Sequence, residues 1–426
     1  MNTLNTIHFP KMAFVKQKLI SSKLEKLSEA VSSALTGLIL PQEIKPGQTV
    51  AVAIGSRGIN QIDHVVYPCL SFLKKRGLKP FIVPGMGSHG GGTEKGQTDV
   101  LAALGITQAA MEVPISSGME VSCIGKLPNG TSIFIGKEAL SADHIVVINR
   151  IKPHTKFSGD IESGLCKMLT IGLGKAEGAV EFHRSAVHHS FRIIEDAARI
   201  ILSHLPVLFG LALIEDGYGQ LAHVEALSPA VLIEREKALL KDAIAMMGRI
   251  PFDHLDVLII DFFGKDISGI GMDSNITGRH RDLVGDFCTA PHAKRIFVRD
   301  LSKGSDGNGN GIGLADVTTK RLVDALNLEK TYANAIAAIS AEKAAIPMYF
   351  PADRQALEVC IRTSGLDSGE NARMVRLKDT ASLDCMQISQ ALKNDLLTDR
   401  TLEQLTPWLP FDFDDKGNLL PFASTP

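Results

Sequence analysis

The 426-residue chain lacks a charge surplus of either sign: 45 Lys and Arg stand against 47 Asp and Glu, a net −2 at pH 7. Without excess cations there are no counterions to release from a nucleic-acid backbone and nothing to hold an anionic membrane. The expected partner is a small molecule, with neither nucleic acid nor membrane. Cysteine is scarce and scattered. Cys69, Cys123, Cys166, Cys288, Cys360 and Cys385 include no C-x-x-C pair, which speaks against a disulfide framework and against a thiolate zinc site. Long apolar runs are absent too. The start, MNTLNTIHFPKMAFVKQKL, has no apolar core followed by a small-residue cleavage site, and the later run ILSHLPVLFGLALIE is interrupted by His204 and Pro206. Together these absences predict a cytoplasmic protein with reduced thiols.

What is present is ample apolar residue, 45% of the chain, enough for sizeable cores in two lobes. TVAVAIGSRGIN reads as a strand closed by Gly55 and Gly58, an amphipathic stretch ending LKKRGLKP follows, and FIVPGMGSHGGG is a second strand. The alternation continues. TEKGQTDVLAALGI reads as helix, TSIFIG and DHIVVINRIK as strands, and AEGAVEFHRSAVHHSFRIIEDAARIILSHL as one long helix. A second alternation starts at LDVLIIDFFG, passes through RIFVRDL, and carries helical segments in LADVTTKRLVDALN and RQALEVCIRTSG. The pattern predicts α/β architecture: two lobes with mostly parallel sheets and an active-site cleft between them. The expected domains are 1–249 and 250–400, with a tail, 401–426, packed back on the first.

In an open parallel sheet, ligands lie beyond the carboxyl ends of the strands, where loops and helix N-termini converge. Arg57, His89 and His154 each follow a predicted strand of the first lobe. Taken singly, each is as readily a solvated loop residue as a functional one; the convergence of three is what points to a site. The glycines of GMGSHGGG match neither G-x-x-x-x-G-K-[ST] nor G-x-G-x-x-G, so they read as room for a flat ligand beside His89.

The run KPHTKFSGDIESGLCK predicts a helix that places Asp160, Ser163, Gly164 and Lys167 on one face, opposite Ile161, Leu165, Met168 and Leu169. The lysine stem would then cross small residues, and Gly164 inside a helix costs up to about 1 kcal/mol against alanine, which calls for a close approach there. In the next helix Val180, His183, Val187, Phe191, Ile194, Ala198 and Ile201 form one stripe. His183 on that stripe is either a core histidine bonded to a carbonyl or a metal ligand. His188 and His189 read as surface.

GSRGIN, GMGSHGG, INRIKPHTKFSGDIESGLCKMLTIGLGK and EFHR resemble the nickel-pincer-dependent lactate racemase family, most strongly over about residues 49–185. The resemblance implies an isomerase, a 2-hydroxy acid racemase or epimerase, working by proton-coupled hydride transfer. Its cofactor would be the nickel-pincer nucleotide, a pyridinium-3,5-bisthiocarboxylic acid mononucleotide, joined as a thioamide to Lys167 with nickel bound by His183. It further implies His89 and His154 as the acid–base pair, Arg57 with Ser56 and Gly164 around the cofactor, and Lys265, Asn275 and Arg279 as substrate contacts. Proteins of cofactor biosynthesis would be partners.

Two departures bear on the substrate. The family's first loop carries an aspartate ahead of Thr-Arg-Pro, whereas Ile54-Gly55-Ser56-Arg57-Gly58 has neither the acid nor the proline, and the span from His154 to Lys167 is long. Both point to a 2-hydroxy acid other than lactate. Two rival readings stand beside this one: a nicotinamide-dependent dehydrogenase using TIGLGKAEG as its loop, and a non-catalytic two-lobed binding protein.

Overall fold

A computed structural model describes residues 7–56, 58–366 and 368–422. By its internal contacts the chain divides into two units, Ser21–Met247 and a second made of Met1–Ile20 with Gly248–Pro426. Both are built on mixed α/β lines with mostly parallel sheets. Among the described residues no helix is long and apolar enough to cross a membrane.

The Ser21–Met247 unit holds a five-stranded sheet formed by β1 (Thr49–Ile54), β2 (Lys79–Pro84), β3 (His144–Arg150), β4 (Val207–Glu215) and β5 (Leu221–Leu227). Their order is β2-β1-β3-β4-β5. The first four are mutually parallel and β5 closes the edge antiparallel. Parallel strands are covered on both faces, so their sequences run apolar without alternation: Val50 to Ile54 are all fully buried. The helix Asp63–Lys75 lays Val65, Val66 and Leu70 on Val50, Val52 and Ile54 to form the core. The chain steps outward from β1 to β2, then returns to β3 on the other side of β1. That reversal makes the carboxyl ends of β1 and β3 the switch point of the sheet, the place where an open α/β sheet leaves a crevice.

The second unit carries eight strands in the order Met348–Phe350, Val317–Thr319, His292–Leu301, His254–Phe263, Met374–Leu377, Cys385–Ser389, Met12–Gln17, Leu402–Gln404. The first five are parallel and the last three antiparallel. Val317–Thr319, inside a stretch read as helix, is a strand because its β-branched side chains suit a buried pleat.

The tail differs from expectation. The described tail residues, 401–422, belong to the unit of residues 248–400 rather than to the first domain, and residues 7–20 join them there. The physical reason is a set of specific bonds. Met12–Gln17 lies between two antiparallel partners, and Met12 pairs with Leu409. Arg299 and Arg376, both ion-paired to buried Asp261, donate to the carbonyls of Leu419 and Leu420 at 2.8 and 2.7 Å.

Candidate active site

Ser56, His89 and His154 follow β1, β2 and β3 and so share the carboxyl edge of one sheet. The Ser56 hydroxyl is hydrogen-bonded to His89 Nδ1, tying the first two loops together. The His89 turn is fixed at both ends: Gly85 donates to Ile54 O at 2.9 Å and Gly87 to Gly172 O at 3.1 Å. Gly90 has φ +65, and a Cβ on Gly96 would fall 1.8 Å from its carbonyl oxygen. Glycine at these two positions therefore serves the seating of the turn on the helix Glu94–Ala103.

Residues 152–163 are a closed loop and not the start of a helix. Lys152 and Ser163 exchange backbone hydrogen bonds of 2.9 and 3.2 Å. Inside, the Glu162 carboxylate accepts the N–H of His154 at 2.5 Å and that of Gly159 at 3.0 Å. Burial raises the Glu162 pKa, against the pull of those two N–H groups and of the Lys167 charge. Helix begins only at Leu165 and passes after Lys167 into a π turn, Met168–Gly172. Asp160, Ser163, Gly164 and Lys167 therefore do not share a helix face. Gly164 is extended (φ 177), and the group that crowds it is Glu236: a Cβ there would lie 2.2 Å from Glu236 Oε1. Glu236 Oε2 accepts the Cys166 N–H at 2.9 Å, so a buried carboxyl stops the helix where the sequence pattern would extend it.

Lys167 is half-buried. Its neighbour Met168 is wedged between the ends of β1 and β2, where a Cβ on Gly85 would meet Met168 Sδ at 2.3 Å and one on Gly55 would meet Met168 Cε at 3.3 Å. The backbone of the lysine is thereby held at the carboxyl edge of the sheet.

The expected long helix is two, Lys175–His189 and Ile193–His204, broken at Ser190 with φ +56. The buried face of the first is Lys175, Gly178, Ala179, Phe182 and Ala186; Val180 is exposed, and His183 sits half-buried beside that face. His183 meets Phe191 edge-on, with centroids 5.8 Å apart. Phe191 stacks on Phe157 at 4.0 Å, and Phe157 stacks on the His154 ring at 4.4 Å. His154 and His183 thus flank one aromatic wall. The His89 turn packs on the same helix: Cβ atoms on Gly87 and Gly92 would touch Ala179 and Ala176, which share a face with His183 by helical spacing. His188 and His189 are exposed.

His154 Nδ1 accepts the Lys156 N–H at 3.1 Å. In the neutral ring the proton then resides on Nε2. Among the described residues no three His, Cys, Asp or Glu side chains converge as a metal-holding group, and His183 is part of none. TIGLGKAEG lies across the π turn and the following helix with no strand leading into it, which removes the geometry a nicotinamide loop requires. Arg57 lies outside the described residues.

Lys265, Asn275 and Arg279 belong to the second unit. The Lys265 amine donates to the carbonyls of Gly269 and Asn310 at 2.9 and 2.8 Å, Asn275 Nδ2 to Asp273 at 3.0 Å, and Arg279 to Asp316 at 2.6 Å and Ala293 O at 2.7 Å. These bonds knit loops of that unit.

Residues 9–193, the span that carries Ser56, His89, His154, Lys167 and His183, match the lactate racemase N-terminal domain. Over that span the chain carries a lactate racemase N-terminal domain. The match supports a racemase or isomerase in general terms. Among solved structures, the lactate racemase apoprotein from Thermoanaerobacterium thermosaccharolyticum is 14% identical, with a TM-score of 0.52 over 86% of this chain and 94% of that one. It shares the fold. A protein from Thermotoga maritima is 17% identical over 66% of this chain and 72% of its own, with a TM-score of 0.48. No curated protein matches. Sequence reasoning missed Phe157, Glu162, Glu236 and the buried pair Lys175 and Gln97, and it read Phe191 only as part of an apolar stripe. The signal for Glu236 was present only as the anomaly of Gly164.

Proposed function

We propose that this protein is a racemase or epimerase of a 2-hydroxy acid other than lactate, acting with a nickel-pincer nucleotide tethered to Lys167. One set of contacts supports the reading: His89 and His154 follow the parallel strands on either side of β1, Met168 beside Lys167 packs on Gly55 and Gly85 at the same edge, and His154 and His183 flank a common aromatic wall. The donor set fits the group. Lys167 offers the primary amine that a thioamide requires, and His183 an imidazole nitrogen suited to nickel. When bound, the group supplies a hydride acceptor and donor, so that a carbinol carbon is oxidised and re-reduced.

The chain's own residues handle the protons. One imidazole takes the hydroxyl proton as the keto acid forms, and the other returns a proton when the opposite face is served. Ser56 occupies His89 Nδ1, and the Lys156 N–H occupies His154 Nδ1, so both rings exchange protons at Nε2. Arg57 would anchor a carboxylate or phosphate through a bidentate pair. Proteins that make and load the cofactor are the implied partners.

The test has two readouts. Intact-mass analysis of protein co-produced with cofactor-making enzymes is expected to show an adduct on Lys167 that is missing from Lys167→Ala. Racemisation of 2-deuterated hydroxy acids in ordinary water is expected to keep the label. Full activity at an unmodified mass, or product carrying solvent hydrogen at C2, would refute the proposal.

A further inference from the structure

Lys175 and Gln97 are both wholly buried and lie within hydrogen-bond reach of each other. Lys175 opens the helix that carries His183 and does so with φ +55, a region that a non-glycine residue occupies only when its surroundings over-determine it. Its amine donates to Pro84 O, at the end of β2, at 2.9 Å and to Gln97 Oε1 at 3.2 Å. The Gln97 amide in turn donates to Gly87 O at 2.8 Å and to His89 O at 3.3 Å. A cation rooted in the His183 helix thus reaches the backbone of His89 through one amide.

Placing an ammonium there is costly. Burial pulls the Lys175 pKa down to about 8, against the charges of Glu138 and Glu94. An apolar side chain of similar volume would fill the space without that cost, so the amine's distinguishing contribution is the set of acceptors it holds. The αL backbone is consistent with this: it aims the side chain back under the turn at the price of local strain.

We propose that Lys175 and Gln97 are positioning residues that lock the 84–89 turn to the His183 helix and so set where His89 exchanges its proton. The inference rests on the reading of His89 as a proton-exchanging group. It is distinct from a general role in stability, because it acts on one turn and through one imidazole.

The experiment uses full-length Lys175→Met and Gln97→Leu variants in two arms. In the chain without cofactor, hydrogen exchange at amides 85–92 is expected to quicken about tenfold while β4 is unchanged. In adduct-bearing enzyme, kcat is expected to fall about 100-fold with little change in KM, and the loss should vanish when His89→Ala is already present. Unchanged exchange in the turn overturns the proposal, as do losses that simply multiply with His89→Ala. If His89→Ala itself leaves racemisation intact, the functional reading of His89 fails, while the exchange arm still judges the positioning of the turn. Lys175→Gly, which relieves the backbone strain but removes the amine, stands in should the methionine variant not fold; a turn as protected as in the parent chain would count against the proposal.

Discussion

Glu236 shows how one carboxyl shapes the site from behind. It is buried, receives the Cys166 N–H, and its Oε1 has no hydrogen-bond partner among the described residues. Burial raises its pKa from 4.5 to about 7. The folded chain therefore holds this proton more tightly than the unfolded chain does, and the stabilisation is present in full below the unfolded value and lost as pH rises through about 7. A shift of this size corresponds to on the order of 3 kcal/mol. Glu236→Gln, which mimics the protonated form, is expected to match the parent in urea unfolding near about pH 5 and to exceed it near about pH 8. Equal stabilities at both pH values would show that the carboxyl is not titrating in the folded chain. Gly164 was legible as an anomaly in the sequence. Its cause was not, since the crowding atom comes from a helix far along the chain.

The elements that read correctly are those whose pattern is set by burial on both faces. The central residues of β1 to β4 are apolar because helices cover both sides of a parallel sheet. For the same reason the positions just beyond them were legible as a shared edge: of Arg57, His89 and His154, read there from the sequence, the two histidines do follow β2 and β3, and Arg57 lies outside the described residues. The failure at 160–167 is instructive. Ile161, Leu165, Met168 and Leu169 are all buried as the helical period demands, yet the backbone before Leu165 is a loop, because Glu162 offers its N–H groups an alternative partner. Both carboxylate oxygens are used, one by His154 and one by Gly159. An amide presents only one acceptor, so Glu162→Gln must lose one of the two bonds. The expected cost is roughly 1–2 kcal/mol in urea unfolding, with faster proteolysis confined to 152–163. An unchanged cleavage pattern would remove Glu162 from its role as the latch of the His154 loop. Lys175 and Gln97 left no periodic trace, since a buried polar pair is defined by the acceptors around it and not by spacing.

On the scale of the whole chain, sequence order and spatial membership part company at the N-terminus. MAFVKQ lies just ahead of the Ser21–Met247 unit, yet it is an interior strand of the other sheet, hydrogen-bonded to Cys385–Ser389 on one side and Leu402–Gln404 on the other. Pairing over such a separation leaves no local signal, because the alternation of a half-buried strand says which face is apolar and not which strand it meets. The energetic consequence is asymmetric. Met12, Ala13 and Val15 are buried within that sheet and Ile7 joins its core, and each large apolar side chain contributes about 2 kcal/mol on burial. Removing residues 1–20 is therefore expected to cost the second unit about 5 kcal/mol or more, beyond the loss of its strand ladder, and to leave the sheet of β1 to β5 intact. Hydrogen exchange resolved by segment separates the outcomes. Protection should collapse in 374–389 and 402–409 while Thr49–Ile54 and Val207–Glu215 keep theirs, and the opposite distribution would mean that the N-terminal strand stabilises the unit it precedes.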